Sequence, residues 1–218
     1  MNNPTIKAVL FDMDGTITDT ERVYNKNWVE AAHKMGWPQF TRQDALDLRS
    51  GFTAHSTKLM QDRFGPEFDY DAIHTVCGQM VDAELERDGI DLKPGIHEIL
   101  SFLHERGIKA AVVTATGIER ATARLKLLGL YDEFDAVISA HFVKLGKPNP
   151  DPYLYACKEI DEDPANCFAV EDAPNGVRSA YRAGCNVIMV PDLTEPDDEL
   201  NEMLYARVDS LDKIIDLF

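Results

Sequence analysis

The sequence lacks any long apolar run. Its longest is Tyr153–Cys157, against the roughly 18 residues a membrane-spanning helix needs, so no membrane span is expected. It lacks a basic tract as well. Lys and Arg number 22 against 38 Asp and Glu, a formal charge of −16, which argues against nucleic acid and anionic membranes as partners. Met1–Thr5 has no basic start leading into an apolar stretch, the pattern of a secretory signal. Cysteine is scarce: Cys77, Cys157, Cys167 and Cys185 form no CxxC pair and no Cys/His zinc spacing. They read as reduced, mostly buried thiols of a cytoplasmic protein.

What remains is ordinary globular composition, 218 residues with 44% hydrophobic and 28% charged. That length suits one domain with a smaller one attached. Its charge is uneven, because residues 192–218 hold nine acids against two bases. An anionic substrate therefore needs a local cluster that overturns the global charge.

Ile6–Phe11 is a short apolar run rich in strand formers, and it stops at Asp12-Met13-Asp14-Gly15-Thr16. A buried strand ending in a polar, glycine-containing loop points to an α/β protein with its site at the strand's C-terminal end. From Asp19 to Asp88 only helices are predicted. Ile73, Val76, Cys77, Met80, Val81 and Leu85 form one amphipathic stripe; Val23, Trp28, Val29, Ala32 and Met35 outline another. Gly36-Trp37-Pro38 and Gly65-Pro66 break the stretch. After Lys93-Pro94-Gly95, predicted strands at Ile108–Val113, Ala136–Ser139, Asn166–Val170 and Asn186–Val190 alternate with helices. Such alternation predicts a parallel, helix-covered sheet, interrupted after its first strand by a helical insertion.

The chemistry-bearing residues fall at the ends of these strands. Asp12 and Asp14 are two positions apart, so both can face one pocket. A calcium loop would need an acid or Asn at Thr16, Gly at Ile17 and Glu at Val23, and all three fail. Glu171-Asp172 is a second acidic pair; Asp172, shortly before Pro174, also suits an N-cap. Acids gathered from two strand ends repel one another unless a divalent cation joins them, and hard oxygen ligands point to Mg²⁺. Thr114-Ala115-Thr116-Gly117 suits an anion seat or a plain helix cap. Lys147 stands in the Pro/Gly-stiffened loop Leu145–Asp151, either solvated or holding phosphate charge.

Asp12-Met13-Asp14-Gly15-Thr16, Thr114, Lys147 and Glu171-Asp172, in this order, resemble the four motifs of the haloacid dehalogenase superfamily. The match spans the chain. The helical insertion, with Gly146-Lys147-Pro148-x-Pro150-Asp151 and Glu171-Asp172-Ala173-x-x-Gly176, is similar to the subclass containing β-phosphoglucomutase and sugar-phosphate phosphatases. The resemblance implies a Rossmann-like parallel-sheet core with helices on both faces, residues 1–18 and 89–218, and an inserted helical cap, residues 19–88. Hinges are expected at Thr16–Thr20 and Asp88–Gly95.

The same resemblance implies roles. Asp12 is the expected nucleophile and Asp14 the acid and base. Gly15, Thr16, Thr114, Ala115 and Lys147 are expected to hold phosphate. Asp12, the Asp14 backbone carbonyl, Glu171 and Asp172 are expected to bind Mg²⁺. Tyr24, Arg49 and His55, with Lys58, are the cap candidates for the substrate's far end. Asp14 favours phosphate-ester chemistry, because superfamily members without an acid there do other reactions. β-Phosphoglucomutases carry a histidine where this chain has Tyr24 and a cap-loop arginine where it has Phe52. Hydrolysis of a small, phosphorylated metabolite is therefore the expectation, by a monomer. A phosphosugar mutase is the alternative, and a non-catalytic sugar-phosphate-binding protein a second.

Overall fold

A computed structural model describes residues 6–218; the N-terminal reading of Met1–Thr5 lies outside them. Six strands form one sheet: β1 (Ala8–Phe11), β2 (Lys109–Thr114), β3 (Ala136–Ser139), β4 (Cys167–Glu171), β5 (Asn186–Met189) and β6 (Leu204–Arg207). Their spatial order is β3-β2-β1-β4-β5-β6, and every pairing is parallel. The order reverses between β1 and β4, the crevice where ligands bind in open parallel sheets.

Both faces of β1 are covered, which is why it reads as an unbroken apolar run. Val9 and Phe11 pack toward α5 (Ile96–Glu105) and α6 (Ile118–Leu127), with Leu211 and Ile214 from the C-terminal turn. Ala8 and Leu10 pack toward α7 (Asp151–Glu159) and α8 (Pro174–Ala183). The insertion folds as α1 (Glu21–Lys34), α2 (Arg42–Asp47), α3 (Thr53–Phe64) and α4 (Tyr70–Asp88) around an apolar cluster of its own. Ile73, Cys77, Val81 and Leu85 of the predicted α4 stripe are buried there. Met35 lies just past α1 and is exposed, so the α1 stripe ends at Ala32.

The two connections to the insertion are joined to each other. The Asp19 amide donates to the Asp91 carbonyl, and the Lys93 amide to the Ile17 carbonyl, both at 2.9 Å. Lys93 adds an ion pair to Asp192 at 2.9 Å.

Two boundaries differ from the sequence reading in ways that matter. β2 runs one residue further, making Thr114 its last residue, and β4 includes Glu171. The acidic C-terminal segment holds structure the sequence did not mark: α9 (Asp198–Asn201) and the edge strand β6. Among the described residues, no helix is long and apolar enough to cross a membrane.

Candidate active site

Asp12 directly follows β1, and its amide donates to the Val170 carbonyl of β4 at 2.9 Å. The nucleophile candidate is thus fixed at the crevice between the two central strands. Its Oδ1 accepts from Lys147 Nζ at 2.6 Å. The same ammonium donates to Glu171 Oε1 at 2.7 Å and to the Val113 carbonyl at 2.9 Å. Lys147 is fully buried, and three donors meet three acceptors. Burial alone would pull its pKa down, but Asp12 and Glu171 outweigh that and hold it above the usual lysine range. Direct contact with a phosphoryl oxygen would require Lys147 to exchange one of these bonds. Lys147 was expected to hold phosphate; here its donors go to Asp12, Glu171 and the Val113 carbonyl.

One carboxylate oxygen from each of Asp12, Glu171 and Asp172 lies within 4.8 Å of the other two. Asp12 Oδ2, Glu171 Oε2 and Asp172 Oδ1 are buried without a hydrogen-bond partner among the described residues. Leaving such acceptors unmade costs about 1–3 kcal/mol each. Burial raises the Asp12 carboxyl well above its ordinary range; Lys147 opposes this, while Glu171 and Asp172 add to it. Burial likewise pushes Asp172 up to about 7, against the pull of Arg49. Three orphaned hard oxygens in a dry, over-acidic cluster fit a hard divalent cation. Asp172 is not the N-cap of α8: that residue is Ala173, and no side chain caps the helix.

Asp14 occupies a different environment. Its Oδ1 accepts from Thr20 at 2.7 Å and Arg124 at 3.1 Å, and its Oδ2 from Thr116 at 2.7 Å. Arg124, from α6, also donates to the Tyr24 hydroxyl at 3.1 Å and to Asp82 at 3.2 Å. Asp14 is therefore tied to both the sheet unit and the helical unit.

Above the two acids lies a cavity of about 470 Å³. Asp12, Asp14, Thr114 and Ala115 line its floor, and Tyr24, Arg49 and Phe52 line its helical side. Thr114 Oγ1 accepts from the Thr116 amide at 3.0 Å, which leaves its own proton to donate. Arg49 reaches down from the insertion to pair with Asp172 at 3.1 Å. Its carbonyl accepts from Asn175 Nδ2 at 2.9 Å, and the Phe52 amide donates to the Lys147 carbonyl at 3.0 Å. Trp28 stacks on His74, with ring centroids 5.5 Å apart, and packs at a tilt against Tyr70 at 5.3 Å, making an aromatic far wall.

Some predicted residues stand elsewhere. The Gly15 amide is spent on the Thr18 carbonyl at 2.8 Å, and neither Gly15 nor Thr16 lines the cavity. Gly15 matters for shape instead: its φ is +92°, and a side chain there would strike the carboxylate of Asp172 and the stem of Glu21. Thr16 is buried, its hydroxyl unpartnered among the described residues. His55 is exposed on α3, outside the cavity. Its neighbours Ser56 and Met60 take the buried face, which turns position 55 outward. Lys58 is also exposed and pairs with Asp62.

The sequence reading missed Glu21, a buried acid of the cavity wall. Burial, reinforced by Asp172, holds its carboxyl well above the ordinary range. An acid in a helix's first turn has a commonplace dipole role, and that hid it. Arg124 and Tyr153 were missed too, since their partners Asp14 and Glu171 are distant in sequence.

A family model for haloacid dehalogenase-like hydrolases matches residues 6–184. Hexitol phosphatase A of Escherichia coli is 35% identical over 209 residues, covering 93% of this chain and 94% of its own. The β-phosphoglucomutase of Bacillus subtilis is 31% identical over 187 residues, covering 82% and 80%. Among solved structures, CbbY from Rhodobacter sphaeroides, in complex with phosphate, superposes with a TM-score of 0.78 at 26% identity, covering 96% of each chain.

Proposed function

The chain belongs to the haloacid dehalogenase-like hydrolases, and on that premise we propose that it is a divalent-cation-dependent phosphatase. Its substrate is a small phosphate monoester, a sugar phosphate, and the phosphoryl group passes through a covalent bond to Asp12. The observation that carries this reading is the separation of the two acids on one turn. Asp12 is sunk in the cation cluster against Lys147, while Asp14 stands in the cavity among hydroxyl and guanidinium donors.

A carboxylate oxygen of Asp12 attacks phosphorus as the bond to the ester oxygen breaks, and Asp14, entering the step protonated, gives that proton to the leaving oxygen. The alcohol leaves, and the phosphoryl group stays on Asp12 as an acyl phosphate. Water then attacks phosphorus, Asp14 takes the water's proton, and phosphate departs with Asp12 restored. Thr114 donates to a phosphoryl oxygen, and the Lys147 charge opposes protonation of Asp12. Asp12, Glu171, Asp172 and the Asp14 carbonyl would hold the cation, Mg²⁺ by the hardness of its oxygen ligands, which supplies positive charge beside the transferring oxygens. Phosphoryl transfer needs mainly positioning and charge neutralisation, and this set provides both.

Residues 19–88 act as a cap on the core of residues 1–18 and 89–218, with hinges at Thr16–Thr20 and Asp88–Gly95, excluding water while the phosphoryl group moves. The four unpaired thiols support a reducing, cytoplasmic setting, and we take the protein to act as a monomer.

Hydrolysis is favoured over isomerisation by Tyr24. It occupies the position of the mutase histidine, but burial and the nearby Asp14 push its phenol up to about 12, and its oxygen already accepts from Arg124. It adds no second base beside Asp14 to serve a sugar hydroxyl. A non-catalytic sensor would have no need of nucleophile and acid together. Likeness to a hexitol phosphatase makes hexitol phosphates the first substrates to try. The test is a phosphosugar panel with Mg²⁺, scored for free phosphate and for isomer conversion, with and without a bisphosphate primer. Phosphate release lost in Asp12→Asn is expected. Primer-dependent isomerisation without release would overturn hydrolysis, and no turnover across the panel would overturn the enzyme reading.

A further inference from the structure

Tyr153 of α7 is completely buried with its ring in the apolar layer, yet its hydroxyl reaches the charged Glu171 of the site. It donates to Glu171 Oε1, the same oxygen that accepts from Lys147 Nζ at 2.7 Å. The ammonium also sits over the Tyr153 ring, 5.4 Å from its centroid. Glu171 is thus gripped at one oxygen by two donors, while Oε2 has no partner among the described residues. On its other side the carboxylate lies against Gly176, where an added side chain would collide with it. Two donors and a bare backbone leave the group a single orientation.

We propose that Tyr153 is a positioning residue of the cation site, its phenol fixing Glu171 so that Oε2 stays available as a ligand and Oε1 stays on Lys147. This rests on the cation-cluster reading above. The phenol is needed because one donor cannot hold a carboxylate that faces two other carboxylates. With Lys147 alone, Glu171 can turn both oxygens toward the ammonium and withdraw its ligand. Partners that orient metal ligands in this way typically contribute tenfold or more to metal affinity. Packing alone does not explain the residue, because phenylalanine would fill the same space without burying a hydroxyl.

The test is calorimetric titration of Mg²⁺ into the metal-free full chain: wild type, Tyr153→Phe, Glu171→Gln and the double variant. Tyr153→Phe keeps the ring and removes the donor. We expect it to weaken Mg²⁺ binding by about tenfold while thermal unfolding stays near wild type. In the Glu171→Gln background the same change should add nothing, since the effect runs through that carboxylate. Wild-type affinity in Tyr153→Phe would overturn the proposal, and so would an equal loss in both backgrounds. Should Tyr153→Phe fail to fold, comparison of the double variant with Glu171→Gln decides by the same rule. Absence of Mg²⁺ binding by the wild type would instead overturn the cation reading on which the proposal stands.

Discussion

Replacing Asp12 with asparagine should abolish turnover and at the same time make the metal-free protein more stable. Asp12, Glu171 and Asp172 place three buried acids together, facing the two cations Lys147 and Arg49. The Asp12 Oδ2 atom has no donor among the described residues. Asparagine keeps an oxygen for Lys147 and puts an amide where the orphaned oxygen stood, with other orphaned oxygens to receive it. Relief of one unsatisfied buried acceptor gives a gain of about 1–3 kcal/mol. The sign depends on pH. Because burial raises Asp12 above its ordinary 3.8, the folded state holds that proton to higher pH than the unfolded state. Wild type therefore loses stability as pH rises from about 4 through the raised value, and the variant lacks this loss. Urea unfolding with a chelator, at pH 5 and pH 8, reads the difference, which should be larger at pH 8. Saturating Mg²⁺ should shrink the variant's advantage, since only wild type keeps all three ligands. An Asp12→Asn protein less stable than wild type at pH 8 without metal would refute this electrostatic picture of the cluster.

Lys147→Met should act in the opposite sense, because it strands Asp12 and the Val113 carbonyl and leaves Glu171 with Tyr153 as its one donor. Breaking a buried pair in this way costs about 3–5 kcal/mol, measurable by the same urea unfolding without metal. Gly176→Ala should lose both Mg²⁺ affinity and activity, since the added methyl meets the Glu171 carboxylate; calorimetry and phosphate release check it. Mg²⁺ at a hundredfold its dissociation constant should stabilise the protein by about 2.7 kcal/mol. The raised carboxyls of Asp12 and Asp172 must lose protons to bind, so the same Mg²⁺ concentration should raise Tm more at pH 8 than at pH 5.

Much of the architecture was legible because burial on two faces leaves a plain mark. Ala8–Phe11 has no polar residue and is covered on both sides, and the α4 stripe repeats over most of 19 residues. β6 was invisible for the converse reason. It is a four-residue edge strand with alternating half-burial, inside an acidic segment. In the site, Asp12, Asp14, Glu171 and Asp172 could be located because each falls at or just past a strand end. What sequence could not convey was which group answers which. Arg49 came from the expected cap loop, but its partner is Asp172, 123 positions away. Arg124 answers Asp14 across 110 positions, and nothing in its helical surroundings marks it. Lys147 was singled out, but its three committed donors are a property of packing rather than spacing.

The covalent route through Asp12 is open to one direct measurement. The protein is mixed with Mg²⁺ and a substrate labelled in its phosphoryl group, quenched in acid within a single turnover, digested and mapped. Label on the peptide containing Asp12, appearing before free phosphate and decaying into it, is the expected result. Phosphate release with no labelled peptide at any quench time, under conditions that preserve an acyl phosphate, would contradict it.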